Sequence, residues 1–362
     1  MLSTPEFPRS AALKTEKVSW SFFNPMAGLA GMADLSGLVV ALVLLLALWI
    51  DGRFGEPPGW AHPVVGMGRY LQACGRVTVR CRPRLAFVFG AVAWWLGVLV
   101  TGALAWGLQA VAFQHVVQGG VTPGLASGIA LVLMACLLKS MLSWRMLRDE
   151  VGAVEAALQQ SLAAGRARLS MLVSRDTTLL SESEVRESAI ESLAENLNDS
   201  VVAPIFWFVL FGLPGAAIYR FANTADAMWG YRGTYRGQHW EWAGKWAAWA
   251  DDALSWLPAR LTALLLALVV RGEGGKLPLK ALGLEARKTP SPNSGWPMAA
   301  MALALGVSLG KPGAYTLNPD GRAPQAADTA LAQKYALKVM VVLVLWALIA
   351  IVLIAISVSS FL

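Results

Sequence analysis

Residues 174–200, SRDTTLLSESEVRESAIESLAENLNDS, hold seven of the chain's twenty-three acidic residues. From Glu184 onward the segment reads as a helix, and Glu191, Glu195 and Asp199 recur every four residues, so they climb one face a turn apart. Three stacked carboxylates repel one another, and a cation, a basic partner or open water has to offset the repulsion. The pattern suits Mg²⁺, which takes a few carboxylates and brings substrate phosphates with it. A solvated acidic surface helix is the competing reading. Ser181 followed by Glu184 is a capping box that opens the helix. Arg175 and Asp176 precede it, placed either to meet a phosphate at the helix start or to pair with each other.

Two further groups repeat this chemistry. Asn223 and Asp226 in FANTADAMWGYRG are three apart and share a helix face, and Asp251 and Asp252 in WADDALSWLPARL enter an apolar run with Arg260 two turns on. Oxygen ligands of this kind suit hard cations, while Arg220, Arg232, Arg236 and Lys245 suit phosphate or carboxylate groups. Upstream, DGRFGEPPGWAHPVVGMGRYL crowds Gly and Pro around Asp51, Glu56 and His62 and reads as a loop. It either closes over a site or merely joins a span to an amphipathic helix. Asn293 in SPNSGWP has the composition of a turn.

The elements that must hold these residues are membrane helices. The 362 residues are 56% hydrophobic with sixteen Trp, beyond soluble averages. Residues 38–50 (extended back through Gly31), 85–113, 124–138 and 339–362 carry almost no charge and are long enough to span. Residues 201–218, broken by Pro204, Gly212, Pro214 and Gly215, and 254–270, carrying Pro258 and Arg260, read as interrupted segments lining a cavity. Residues 139–174 are amphipathic at helical spacing. The expected fold is therefore all-α: a polytopic integral membrane protein of about four to six membrane segments, some broken or re-entrant, with a cytoplasmic amphipathic region. Residues 1–30 form a variable extension, and residues 31–362 a single domain.

The net charge of +7 does not point to nucleic acid, because the basic residues lie in loops between spans. The stretch 51–84 is rich in Arg and 114–123 has none, which puts the first in the cytoplasm and, two crossings on, the acidic segment there too. Cys74, Cys81 and Cys136 lack metal-ligand spacing and read as free thiols. There is no cleavable signal pattern, no internal repeat, and no phosphate-loop or dinucleotide motif.

At DGRFGEPPGWAHPVVGMGRYL, SRDTTLLSESEVRESAIESLAENLNDSVVAPIFW, FANTADAMWGYRG, WADDALSWLPARLTALLL and SPNSGWPMAAMALALGVSLG, in that order, the chain resembles the adenosylcobinamide-phosphate synthase family of cobalamin biosynthesis. It departs from the family pattern at Lys311 after Gly310, where a Gly pair is usual, at Ser255, where Asn is usual, and in its amino-terminal extension. The resemblance implies an ATP-dependent ligase of the cell inner membrane, its site toward the cytoplasm, joining a propionate of adenosylcobyric acid to aminopropanol or its O-phosphate. Activating the carboxylate as an acyl phosphate calls for ATP and Mg²⁺.

On that footing Asp176, Glu191, Glu195 and Asp226 are the expected catalytic residues, and Glu191, Glu195, Asp199, Asp251 and Asp252 the expected metal ligands. His62, Arg175, Asn196, Asn223, Arg232, Arg260 and Asn293 are expected to bind substrate or phosphate. The expected partners are the corrinoid, the amine, the bilayer and other membrane proteins of the pathway. Two other classes compete: a Mg²⁺-dependent prenyltransferase-like enzyme, which would want paired aspartates three or four apart in both motifs, and a non-catalytic sensor or transporter, in which the polar motifs would be eroded. If both interrupted stretches crossed the bilayer, residues 219–252 would lie opposite Glu195, so a shared site requires a re-entrant or membrane-embedded arrangement.

Overall fold

The computed structural model describes residues 37–118 and 124–359, so the amino-terminal extension and the tip of the 114–123 loop lie outside it. Helices α1 (Gly37–Phe54), α2 (Pro63–Thr78), α3 (Pro83–Gln118), α4 (Leu125–Lys139), α5 (Trp144–Gln160) and α6 (Leu162–Leu169) lead to α7 (Glu182–Leu197). A π-helical turn, Asn198–Val202, joins α7 to α8 (Ala203–Trp229). A two-residue hairpin, β1 (Thr234–Tyr235) and β2 (Gln238–His239), precedes α9 (Lys245–Gly272), α10 (Leu279–Glu285) and α11 (Gly295–Leu305). A second hairpin, β3 (Leu309–Lys311) and β4 (Tyr315–Leu317), precedes α12 (Ala326–Ser359). Both hairpins are antiparallel, with Lys311 opposite Tyr315.

Among the described residues, six helical stretches are long and apolar enough to cross a membrane. Their outward faces agree: Val341, Leu345, Ile349 and Val352 of α12 and Leu96, Leu99 and Leu104 of α3 are exposed, as lipid-facing helices require. This is an all-α polytopic membrane protein. Small residues set the close helix crossings: a Cβ on Gly97 of α3 would run into the Phe221 ring of α8.

Local boundaries differ from expectation in three places. Helix α1 continues through the buried Asp51 to Phe54, so the Gly/Pro loop shrinks to residues 55–62. The Asp51 carboxylate is what holds that last turn, accepting the backbone N–H of Arg145 at 2.9 Å. The amphipathic stretch after Lys139 is two helices, because Ser161 turns its side chain onto the Ala164 N–H and starts α6. The closing helix begins at Ala326, ahead of its apolar run, with Asp328 of its first turn held by Arg322.

The interrupted segment is the feature that positions everything else. Gly212 has φ 68° and ψ −155°, a left-handed backbone that breaks α8 and is followed by Pro214. A straight helix would separate Ser200 from Arg220 by about 30 Å, yet Arg220 Nη1 donates to Ser200 Oγ at 3.2 Å. The chain therefore reverses at Gly212 and returns residues 219–226 to the level of the π turn. The break exposes backbone polar groups where no water can serve them. Gln109 of α3 meets this need, its Oε1 accepting the Leu213 N–H at 2.8 Å. Pro258 likewise leaves the Leu254 carbonyl without its helical donor, and Trp207 Nε1 supplies one at 3.1 Å.

Replacing Gln109 by Leu keeps the volume and removes the acceptor, so the variant is expected to lose about 1–3 kcal/mol of stability, the cost of a buried unpaired N–H. Thermal unfolding in detergent measures it. An unchanged midpoint would remove Gln109 from this role.

Candidate functional site

The reversal brings three sequence-distant acidic motifs into one polar interior. The carboxylates of Asp199, Asp226 and Asp251 stand close enough to repel one another, and Asp252 repels both Asp226 and Asp251. Asn223 and Tyr219 approach Asp199 as donors. Asn223 Nδ2 also lies 3.5 Å from Asp251 Oδ1, and the buried Tyr219 hydroxyl shares a hydrogen bond with Ser255 Oγ at 3.1 Å. Asn198, buried in the π turn, donates to Asp199 Oδ1 at 2.7 Å and accepts from Thr262 Oγ1 at 3.0 Å. That turn shifts the register of the helix after Leu197, a distortion common at functional sites. Arg220 is the cation of this group, bonded to Ser200 and Ser143 and electrostatically coupled to Asp199 and to Glu56.

Glu191 and Glu195 form the adjoining wall. Glu191 is buried and receives Arg175 Nη2 at 3.1 Å, so Arg175 pairs with Glu191 and not with its neighbour Asp176. Glu195 is repelled by Asp199 and Glu191 and feels Arg175 and Lys311. Lys311 and Tyr315 reach this wall from the second hairpin, opposite each other across the strand pair. Asp176 stands apart: it is exposed, and its carboxylate accepts Thr178 N–H at 2.9 Å and Thr178 Oγ1 at 2.7 Å. Those two bonds hold its carboxyl below the usual range and make it a turn residue. Asn196 donates to the Ser192 carbonyl of its own helix at 2.9 Å.

The SPNSGWP turn closes the other flank. Asn293 is buried, donates to the Asp252 carbonyl at 2.7 Å and accepts Arg260 Nη1 at 2.9 Å, so it ties α9 to the turn. Arg260 lies over the rings of Trp256 and Trp296, at 4.3 and 4.9 Å from their centroids, and also donates to the Pro292 and Trp256 carbonyls. Its Nη1 and Nη2 groups thus hold this turn. Arg232 is exposed, reaches the Pro290 carbonyl at 3.4 Å and faces Asp252.

His62 is likewise engaged by local contacts. It caps α2, with Nδ1 accepting the Val64 N–H at 3.2 Å and Nε2 3.1 Å from Glu56 Oε2, so both ring nitrogens are committed. Glu56 Oε2 also receives Lys139 Nζ at 2.7 Å, and Lys139 sits 3.5 Å from Asp51. Burial alone would raise the Glu56 carboxyl, but the hydrogen bonds from His62 and Lys139 outweigh it and hold the group below its ordinary 4.5. Lys139 was invisible in the sequence because it ends an apolar helix like any span-flanking lysine. Arg220 and Glu56 were visible as charges without a partner. Among the described residues no three His, Cys, Asp or Glu side chains already stand as a metal cage.

Because its folded value is lowered, Glu56 contributes stability that is complete above 4.5 and is lost as pH falls through the folded value. Lys139→Met strands Asp51 and Glu56 without their cation and is expected to cost about 3–5 kcal/mol at pH 7. The deficit should shrink toward pH 4, where Glu56 can protonate. Tryptophan fluorescence during chemical unfolding at several pH values reads both effects, and a pH-independent deficit would contradict the ion pairing.

Comparison with known proteins adds the family. Residues 44–344 match the family described as CobD/Cbib protein. The chain is 39% identical over 303 residues to a probable cobalamin biosynthesis protein CobD of Pyrococcus furiosus, covering 84% of this chain and 94% of the relative. It is 39% identical over 279 residues to a protein of the same name from Methanothermobacter thermautotrophicus, covering 76% and 86%. It is 40% identical over 271 residues to the cobalamin biosynthesis protein CobD of Chromobacterium violaceum, covering 75% and 81%. No solved structure matches the chain. The match spans all five polar motifs and the helices that bring them together, and the chain belongs to the CobD/Cbib family of cobalamin biosynthesis proteins.

Proposed function

We propose that this protein is an ATP-dependent amide-forming ligase of the cell inner membrane, joining a corrin propionate of adenosylcobyric acid to aminopropanol or its O-phosphate at a site facing the cytoplasm. The observation that carries the reading is the convergence of Asp199, Asn223, Asp226 and Asp251 beside Arg220, with Glu195, Arg175 and Lys311 adjoining. Carboxylate and amine do not condense in water, and a corrin carboxylate must first be made into a better acyl donor. That step needs cationic side chains around a phosphoryl group and oxygen ligands for its counter-ion.

Mg²⁺ fits the donor set in kind. The residues are oxygen donors whose mutual repulsion a divalent cation relieves, and an ion that meets one or two carboxylates together with nucleotide phosphates needs no preformed cage. Asp199, Asp226 and Asp251, with Glu195 adjoining, would hold it; when bound it neutralises phosphate charge. Arg175 and Lys311 are suited to phosphoryl oxygens on one side of this group and Arg220 on the other, and Asn223 to a substrate amide. Asp252 and Asn293 fix α9 against the SPNSGWP turn, so that Asp251 keeps its place.

The test is incubation of the purified protein with adenosylcobyric acid, ATP, Mg²⁺ and 1-amino-2-propanol or its O-phosphate, with the amide read by mass spectrometry. Product is expected with at least one amine, and none with either would defeat the reading. Glu195→Gln and Asp251→Asn are each expected to slow product formation about 100-fold or more. Unchanged rates in both would remove the acidic group from the chemistry.

A further inference from the structure

In residues 264–279, LLLALVVRGEGGKLPL, an apolar run gives way at once to charges and glycines. Leu264, Leu268 and Arg271 recur at helical spacing, so one face of α9 passes from apolar to cationic within two turns. All three are exposed. Helix α9 stops at Gly272 and the chain folds back on it. Gly274 has φ 83°, in the left-handed region that favours glycine, and the Gly275 N–H returns to the Val270 carbonyl at 2.9 Å. A Cβ on Gly275 would come within 2.8 Å of Val270 Cγ1, so the return needs a glycine there too. The fold-back brings Lys276 and Leu279 into one groove with Leu264, Ala267, Leu268 and Arg271, about 850 Å³ in volume.

The charge in this groove is uncompensated. Glu273, the acid of this stretch, is engaged by Lys334 Nζ at 3.0 Å and by Lys338. Among the described residues no acid pairs with Arg271 or Lys276. Lys334 and Lys338 also fix the depth, because they lie on α12 just ahead of the apolar run that begins at Val339. The cationic end of the groove is therefore level with the point where α12 enters the hydrocarbon, and Leu264 and Leu268 lie on the apolar side of it. A single cation at the end of a membrane helix is ordinary. Here two cations from separate segments share one groove with an apolar wall, which is the profile of an amphiphile with an acidic head.

We propose that this groove seats an anionic phospholipid, its phosphate between Arg271 and Lys276 and one acyl chain along Leu264, Ala267 and Leu268. The two unpaired cations supply the charge complementarity. A zwitterionic lipid, whose own ammonium cancels the charge of its phosphate, gains less from them. A soluble phosphate would meet the cations and leave the apolar wall unfilled. The seat is separate from the acidic group, since Arg271 lies roughly five turns beyond Asp251 along α9. A lipid bound there anchors the far end of the helix that carries Asp251 and Asp252, and its binding does not depend on the amide-forming reading.

The experiment is native mass spectrometry of the detergent-solubilised full chain, titrated with phosphatidylglycerol or with phosphatidylcholine of the same acyl chains. Phosphatidylglycerol is expected to bind about tenfold or more tighter, and Arg271→Gln and Lys276→Gln each to weaken it about fivefold. Both side chains are exposed, so these substitutions spare the fold. Ala267→Phe fills the apolar part of the groove and leaves both cations, and it is expected to weaken both lipids. Arg82→Gln removes an exposed cation outside the groove and is expected to keep the preference. Equal binding of the two lipids, or unchanged binding in Ala267→Phe, would overturn the proposal. So would a loss in Arg82→Gln as large as in Arg271→Gln, which is diffuse attraction to a basic surface. Displacement of the lipid by an equal concentration of inorganic phosphate would assign the two cations to a soluble anion and overturn it as well.

Discussion

The whole arrangement depends on one rule of the membrane interior, that no backbone N–H or C=O can be left without a partner. A helix obeys it automatically, and a helix that stops and turns back does not. Here the turn at Gly212 is tolerated because Gln109 reaches from α3 to the Leu213 N–H, and the proline in α9 is tolerated because Trp207 reaches its stranded carbonyl. Two side chains therefore permit two irregular helices, and the irregular helices place the polar motifs. Without the reversal, Arg220 would stand some six turns from Ser200 and the acidic residues would belong to separate parts of the molecule.

The second constraint is electrostatic and follows from the first. Returning residues 219–226 to the π turn crowds Asp199, Asp226 and Asp251 together, which raises the free energy of the unliganded protein. Soluble enzymes can relieve such crowding with water, whereas a membrane-embedded site has to do so with neighbouring donors. Asn198, Asn223 and Tyr219 supply these for Asp199, and Arg220 supplies a charge. The relief is partial, and carboxylates held in this state would not have to be gathered before meeting a cation.

Much of this was legible in the residues. The capping box at Ser181 and Glu184 is present as spacing predicts, because it is a local interaction that neighbours cannot easily override. The interrupted segments were marked by their prolines and glycines, although which residue reverses the chain was not, since Pro204 and Gly215 are equally conspicuous in sequence. The acidic residues announced themselves by type, but whether they met depended on a reversal whose partner, Gln109, lies about a hundred residues upstream in an otherwise unremarkable span. The local contacts of His62 and Arg260 were hidden for a related reason. Each carries chemistry-bearing atoms, and only the three-dimensional contacts reveal that they also hold a helix cap and a tryptophan-lined turn. Lys139 hid in the opposite way, as a lysine where membrane helices ordinarily end.

The reversal at Gly212 also bears on counting. A segment that enters and leaves by the same face contributes an even number of crossings, so whichever compartment Ser200 faces, Arg220 faces as well. Hydropathy alone credits residues 182–229 with a single full passage, whereas a hairpin there adds no net crossing. One glycine in a left-handed conformation thus changes the parity of the crossings that the sequence alone would count.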